Sequence, residues 1–215
     1  MNDLKEKLYQ MFILGLEGEG YKTALTKGLG GVIFFTKDII SKSQFKSLIT
    51  DIKKISKIPP FLSIDQEGGR VERTENIHGG KKYLSARYAF QKGEIFLKKQ
   101  TEEISQELRE YGINLNFAPC IDVDTNPKNP IIGERSFSNN SEDVQNCGLI
   151  VSEIYRKNSI IPCVKHFPGH GDADADSHIT LPKINLTFEE MKKYHIKPFE
   201  IACQNGIEMV MVAHL

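Results

Sequence analysis

Residues 160–171 read IIPCVKHFPGHG. An apolar, strand-forming run passes directly into a loop of histidine, proline and glycine. The same arrangement recurs along the chain. Residues 61–64 (FLSI) run into DQEGGR, and residues 114–123 (NLNFAPCIDV) run on into DTNP. Residues 31–35 (GVIFF) and 208–213 (EMVMVA) have the same strand character, and 178–181 form a further candidate. Helical patterns lie between these runs. Over 41–56, Phe45, Leu48, Ile49, Ile52 and Ile55 keep a helical period behind an S-x-x-Q capping box, Ser41 to Gln44. Over 93–111, Leu97, Thr101, Ile104, Leu108 and Tyr111 share a face, and Gly112 suits the residue after the helix. Val144, Cys147, Val151 and Ile154 form another stripe. Thr187 and Glu190 form a second capping box, opening a helix towards Asn205 that Gly206 ends.

Near-continuous apolar strands alternating with helices predict an α/β fold around a parallel sheet. Each polar cluster follows the C-terminal end of a strand. Both (β/α)8 barrels and doubly wound sheets place their active sites there. No G-x-G-x-x-G or phosphate loop follows any strand, which argues against a nucleotide-binding sheet.

The composition narrows the function classes. The chain has 215 residues, enough for one sizeable domain, with 40% hydrophobic and 26% charged residues. Lys+Arg and Asp+Glu are 28 each, so no net field draws the chain to nucleic acid or an anionic membrane. No run reaches the roughly 18 apolar residues of a membrane span. The N-terminus lacks the pattern of a signal peptide. The four cysteines, Cys120, Cys147, Cys163 and Cys203, have no C-x-x-C spacing and read as buried thiols. A cytoplasmic location is the expectation, without nucleic-acid or membrane partners.

The densest chemistry is KHFPGHGDADADSH, residues 165–178, which holds three of the chain's six histidines. His166 and His170 stand four apart, but Pro168, Gly169 and Gly171 oppose the helix that would face them together on a metal. Asp172, Asp174 and Asp176 have the D-x-D-x-D spacing of a calcium loop, yet Ser177 and Lys183 stand where that loop needs Gly and Glu. No metal or cofactor is expected. Asp176 and His178, two apart, suit acid–base work: a carboxylate orients an imidazole and favours its protonated form. Elsewhere, SIDQEGGRVER supplies Asp65, Glu67, Arg70 and Arg73, and IIGERSFS supplies Glu134 and Arg135. An aspartate and arginines suit binding of the hydroxyls and polar substituents of a sugar.

SIDQEGGRVER, INLNFAPCIDV, IIGERSFS and KHFPGHGDADADSH together resemble the β-N-acetylhexosaminidases of glycoside hydrolase family 3. The resemblance runs from the N-terminus to Leu215. It implies a single (β/α)8 barrel domain over 1–215. The implied activity is retaining hydrolysis of terminal β-linked N-acetylglucosamine, as in N-acetylglucosaminyl-anhydromuramic acid and muropeptides of cell-wall recycling. By resemblance Asp65, Arg73, Arg135, Lys165 and His166 contact the sugar, His178 is the general acid/base and Asp176 its partner. The family's nucleophile lies on a later strand loop with no counterpart before Leu215. The barrel is therefore expected to be incomplete, at about six β/α units, and this chain by itself to be inactive and poorly stable. The rival expectations are a sugar-binding fragment without hydrolysis and, third, a metal-dependent hydrolase.

Overall fold

The computed structural model describes residues 2–174, 184 and 186–214. Among the described residues six strands form one sheet: β1 (Ile13–Leu14), β2 (Gly31–Phe34), β3 (Phe61–Ile64), β4 (Leu115–Asn116), β5 (Ile161–Phe167) and β6 (Met209–Val212). All neighbouring pairs are parallel, and the spatial order is β1-β2-β3-β4-β5-β6. A doubly wound sheet reverses its strand order at a switch point. No reversal occurs here, so the sheet is of the barrel type, with the first six β/α units in sequence.

The helices are α1 (Asn2–Gln10), α2 (Gly20–Thr26), α3 (Lys42–Ile55), α4 (Ala86–Gln91), α5 (Glu94–Tyr111), α6 (Ser141–Lys157), α7 (Phe188–Glu190) and α8 (Lys197–Gln204). Ser41 caps α3, accepting from the Gln44 N–H at 3.3 Å, while the Gln44 side chain reaches back to the Ile40 N–H at 3.0 Å. The predicted stripe of α5 is buried throughout, and Gly112 closes that helix with φ +83°. The Thr187–Glu190 box forms as read. The helix it opens is not continuous, because Met191–Ile196 is a π-helical stretch. Pro198 follows at the start of α8. A proline has no N–H to give and crowds the carbonyl four residues back, and the wider turn relieves both.

Val32, Phe34, Leu62, Ile64, Leu115 and Val164 are buried, as expected for strands covered on both faces. β6 differs: Val210 and Val212 are exposed, as at a sheet edge. One strand, Ile13–Leu14, is not among the runs read from the sequence, and the 178–181 candidate lies outside the described residues; one strand reading changes. The run 114–123 keeps only two residues of continuous pairing, plus one bridge from Cys120 to Lys165, because the chain turns off the sheet to form a loop. One cysteine reading also changes. Cys120, Cys147 and Cys163 are buried, but Cys203 is exposed, since α8 turns Phe199 and Ala202 inward instead. No described helix is long and apolar enough to cross a membrane.

Candidate active site

The loops at the C-terminal ends of β3, β4 and β5 converge on one buried polar cluster. The loop after β3 is built by Gln66 and Asn116. The Asn116 amide accepts from the Gln66 N–H and donates to the Gln66 carbonyl, both at 2.9 Å. Gln66 Oε1 in turn accepts from the Arg73 N–H at 2.7 Å. Between them, Gly68 and Gly69 take positive φ (+96° and +61°). A Cβ on Gly68 would meet the Leu84 carbonyl oxygen at 2.4 Å, so only glycine turns the chain here. This places Asp65 and Glu67 over the strand ends.

Lys165 and His166 are consecutive in β5, yet both side chains enter the cluster. Ordinary strand alternation would send them to opposite faces. A bulge resolves this: the register with β6 shifts between Lys165 and Phe167. Lys165 Nζ lies 2.6 Å from both Asp65 Oδ1 and Glu67 Oε1. Its side chain is only 2% exposed. Burial opposes its charge, but the two carboxylates outweigh that and raise its pKa. Arg135 ends a short 3-10 turn, Gly133–Arg135, and forks onto Glu67 with Nε–Oε2 2.9 Å and Nη2–Oε1 2.8 Å. Burial would raise the Glu67 pKa, yet Lys165 and Arg135 bring it down to about 2.

The loop after β4 adds Asp122, which is wholly buried. Its Oδ2 accepts from the His166 N–H at 3.1 Å and the Cys120 thiol at 3.2 Å, and lies 2.6 Å from His166 Nδ1. Its Oδ1 accepts from the His170 N–H at 2.6 Å. Burial pushes the carboxyl up, but His166 and these donors hold it well below the carboxylate range. Burial also pushes the Cys120 thiol well up, helped by Asp122. Cys120, Asp122 and His166 put possible ligand atoms within 4.8 Å of one another. The 2.6 Å contact is a hydrogen bond between two of those atoms, so the trio is knit to itself rather than opened around an ion.

The start of the 165–178 loop is gripped from two sides. A Cβ on Gly171 would lie 1.7 Å from the Val123 carbonyl oxygen, and one on Gly169 would lie 2.6 Å from His195 Cβ. Asn129 Nδ2 donates to the His170 carbonyl at 2.7 Å. His170 and His195 are both buried, and burial lowers both pKa values.

The structure thus brings together Asp65, Arg135, Lys165 and His166. Arg73 is tied to them through Gln66, and its guanidinium lies over the Phe35 ring, with Cζ 5.9 Å from the centroid. It also faces a cavity of about 670 Å³ lined by Arg70, Glu72, His78, Tyr83 and Glu134. None of Asp65, Glu67, Lys165 and His166 lines that cavity, so the cluster and not the cavity marks the candidate site. Asp176 and His178 lie outside the described residues. Two members escaped the sequence reading: Glu67, quoted but given no role, and Asp122.

A barrel-type sheet with a buried ionic cluster at its strand ends defines a (β/α)-barrel scaffold. The chain belongs to glycosyl hydrolase family 3, whose N-terminal domain pattern matches residues 3–215. It is 36% identical over 197 residues to β-hexosaminidase A of Pseudoalteromonas piscicida, covering 87% of this chain and 33% of that protein. It is 33% identical over 211 residues to a β-hexosaminidase of Neisseria meningitidis, covering 93% and 57%. The fold superposes on a family 3 β-N-acetylglucosaminidase from Paenibacillus with TM-score 0.92 at 33% identity, over 98% of this chain and 42% of that one. It also superposes on NagZ from Neisseria gonorrhoeae in complex with N-trifluoroacetyl-D-glucosamine, with TM-score 0.84 at 29% identity, over 94% and 62%. The chain therefore spans between a third and three-fifths of these relatives.

Proposed function

We propose that this chain supplies the sugar-binding floor and the acid–base loop of a retaining β-N-acetylglucosaminidase. In this reading Asp65, Arg73, Arg135, Lys165 and His166 hold a terminal β-linked N-acetylglucosamine. His178, oriented by Asp176, protonates the leaving oxygen and later activates water. Hydrolysis then belongs to a protein that joins this chain to the remaining length of its relatives. The substrates are fragments of peptidoglycan, and the setting is cytoplasmic cell-wall recycling.

The observation that carries the reading is the charge balance of the cluster. Lys165 and Arg135 are already matched by Asp65 and Glu67 at 2.6–2.9 Å. Among the described residues, neither Lys165 nor Arg135 keeps unspent positive charge for an anionic ligand. What the cluster offers is hydrogen bonding: an ammonium has three donors, and Lys165 spends two on carboxylates. Asp65, 20% exposed, keeps acceptor capacity for hydroxyls. A neutral, hydroxyl-rich ring fits this chemistry, and N-acetylglucosamine is such a ring. The family relatives, named as β-hexosaminidases, support the same choice.

The test is calorimetric titration of this chain with N-acetylglucosamine and with glucuronate. The neutral sugar is expected to bind, glucuronate to bind about tenfold more weakly or not at all, and Lys165→Ala to abolish binding. Preference for glucuronate would overturn the reading.

A further inference from the structure

Asp122 is fully buried and so touches no ligand itself. Its contacts nevertheless run to His166, a residue proposed to touch the sugar. Asp122 Oδ2 lies 2.6 Å from His166 Nδ1 and also accepts from the His166 backbone N–H at 3.1 Å. An ionised carboxylate accepts and never donates, so this contact puts a proton on Nδ1. On the far side of the ring, Nε2 lies 3.4 Å from Arg135 Nη2. A guanidinium only donates, so Nε2 faces it with a lone pair, and at 3.4 Å that contact is long and weak enough for a substrate hydroxyl to share or displace it. A proton on both nitrogens would instead set N–H against N–H beside a second cation. Arg135 is not free to move aside, because its Nε and Nη2 are held by the two oxygens of Glu67.

We infer that Asp122 is a positioning residue: it locks His166 in the Nδ1–H tautomer, so that Nε2 meets the substrate as a hydrogen-bond acceptor. The group recognised at that point is a hydroxyl, which has a proton to give. A carboxylate or phosphate at the same ring position has none, and would face a lone pair. The inference rests on the reading of His166 as a sugar contact and adds to it the polarity of that contact. It also explains the Cys120 thiol and the His170 N–H. They fill the remaining acceptor sites of Asp122, so the carboxylate has one orientation.

The experiment is a long-range proton–nitrogen correlation spectrum of this chain carrying 15N-histidine, near neutral pH, with His166→Gln identifying the His166 signals. The expected pattern is a protonated Nδ1 and an unprotonated Nε2. In Asp122→Asn the lock is lost: Nε2 gains proton occupancy, and affinity for N-acetylglucosamine falls about tenfold. A wild-type ring protonated at Nε2, alone or together with Nδ1, would overturn the inference, as would an Asp122→Asn spectrum like that of wild type. Should Asp122→Asn fail to fold, the wild-type spectrum decides alone. Absence of sugar binding by the wild type would remove the sugar contact, and the same spectrum would still decide the lock.

Discussion

In the floor of the site His166 Nδ1 lies 2.6 Å from Asp122 Oδ2, and in the cavity wall His78 Nε2 lies 2.7 Å from Glu72 Oε1. Both pairs are largely but not wholly buried, and their separations are almost equal. Their electrostatics are opposite. Asp122 collects two backbone N–H groups, a thiol and the ring, and its pKa is driven down. Burial raises the Glu72 pKa more than His78 lowers it, and Glu107 and Glu75 push it further up. The contact itself also differs. His78 and Glu72 approach without hydrogen-bond alignment, so that Glu72 Oε1 and His78 Nε2 both lack a true partner. Distance alone therefore does not tell what a histidine–carboxylate pair does. The surrounding donors decide which protonation state the fold rewards.

The largest test of that contrast is Glu67→Gln in the floor. It leaves Lys165 and Arg135 buried with half their counter-charge, and breaking a buried ion pair from one side costs about 3–5 kcal/mol. Urea unfolding followed by circular dichroism should show that loss; a change below about 1 kcal/mol would mean the floor is wetter than its burial indicates.

Acid should separate the regions next. His170 and His195 have lowered pKa values, so the unfolded chain binds their protons first as pH falls through the ordinary 6.5. Stability they contribute is present above that pH and is lost below it. Glu67 acts in the same sense lower down: its contribution is present above the ordinary 4.5 and is lost as pH falls towards about 2. Glu72 acts in the opposite sense, since a raised carboxyl favours folding in acid and loses that advantage as pH rises. Melting temperature measured against pH should thus fall below neutrality, and His195→Gln should flatten the upper part of the fall. A curve unchanged by that substitution would exclude His195 as a cause.

The smallest expected effect is that of Glu72→Gln near neutral pH. The change relieves crowding with Glu107 and Glu75, so it should cost less than about 1 kcal/mol or slightly stabilise. A loss as large as that from Glu67→Gln would erase the distinction between wall and floor.

Much of the fold was legible because apolar runs carried it. β2, β3 and β6 stand within the predicted runs, β5 runs two residues past its run through His166 and Phe167, and the caps at Ser41 and Thr187 and the stop at Gly112 all formed. β1 escaped because two paired residues leave no period to read. The site was less legible, since its partners are far apart in sequence. Nothing near Glu67 announces that Arg135, 68 residues on, will fork onto it. Asp122 had one local signal: a lone charge between Ile121 and Val123, both buried, just past a strand end. Such a charge has to be paired, and the pairing partner is where the chemistry lies.

The contact between Lys165 and Asp65 closes a loop of 100 residues. Closing a loop of that length costs chain entropy, which the parallel pairings of β3 with β4 and β4 with β5 help to offset. On the ribosome, Asp65 and Glu67 emerge well before the lysine that will neutralise them, and wait as solvated carboxylates. The proposed sugar-binding cluster therefore exists only once that 100-residue loop has closed. A ligand that grips the finished cluster acts on the native side of the barrier, slowing unfolding while leaving the rate of folding nearly untouched.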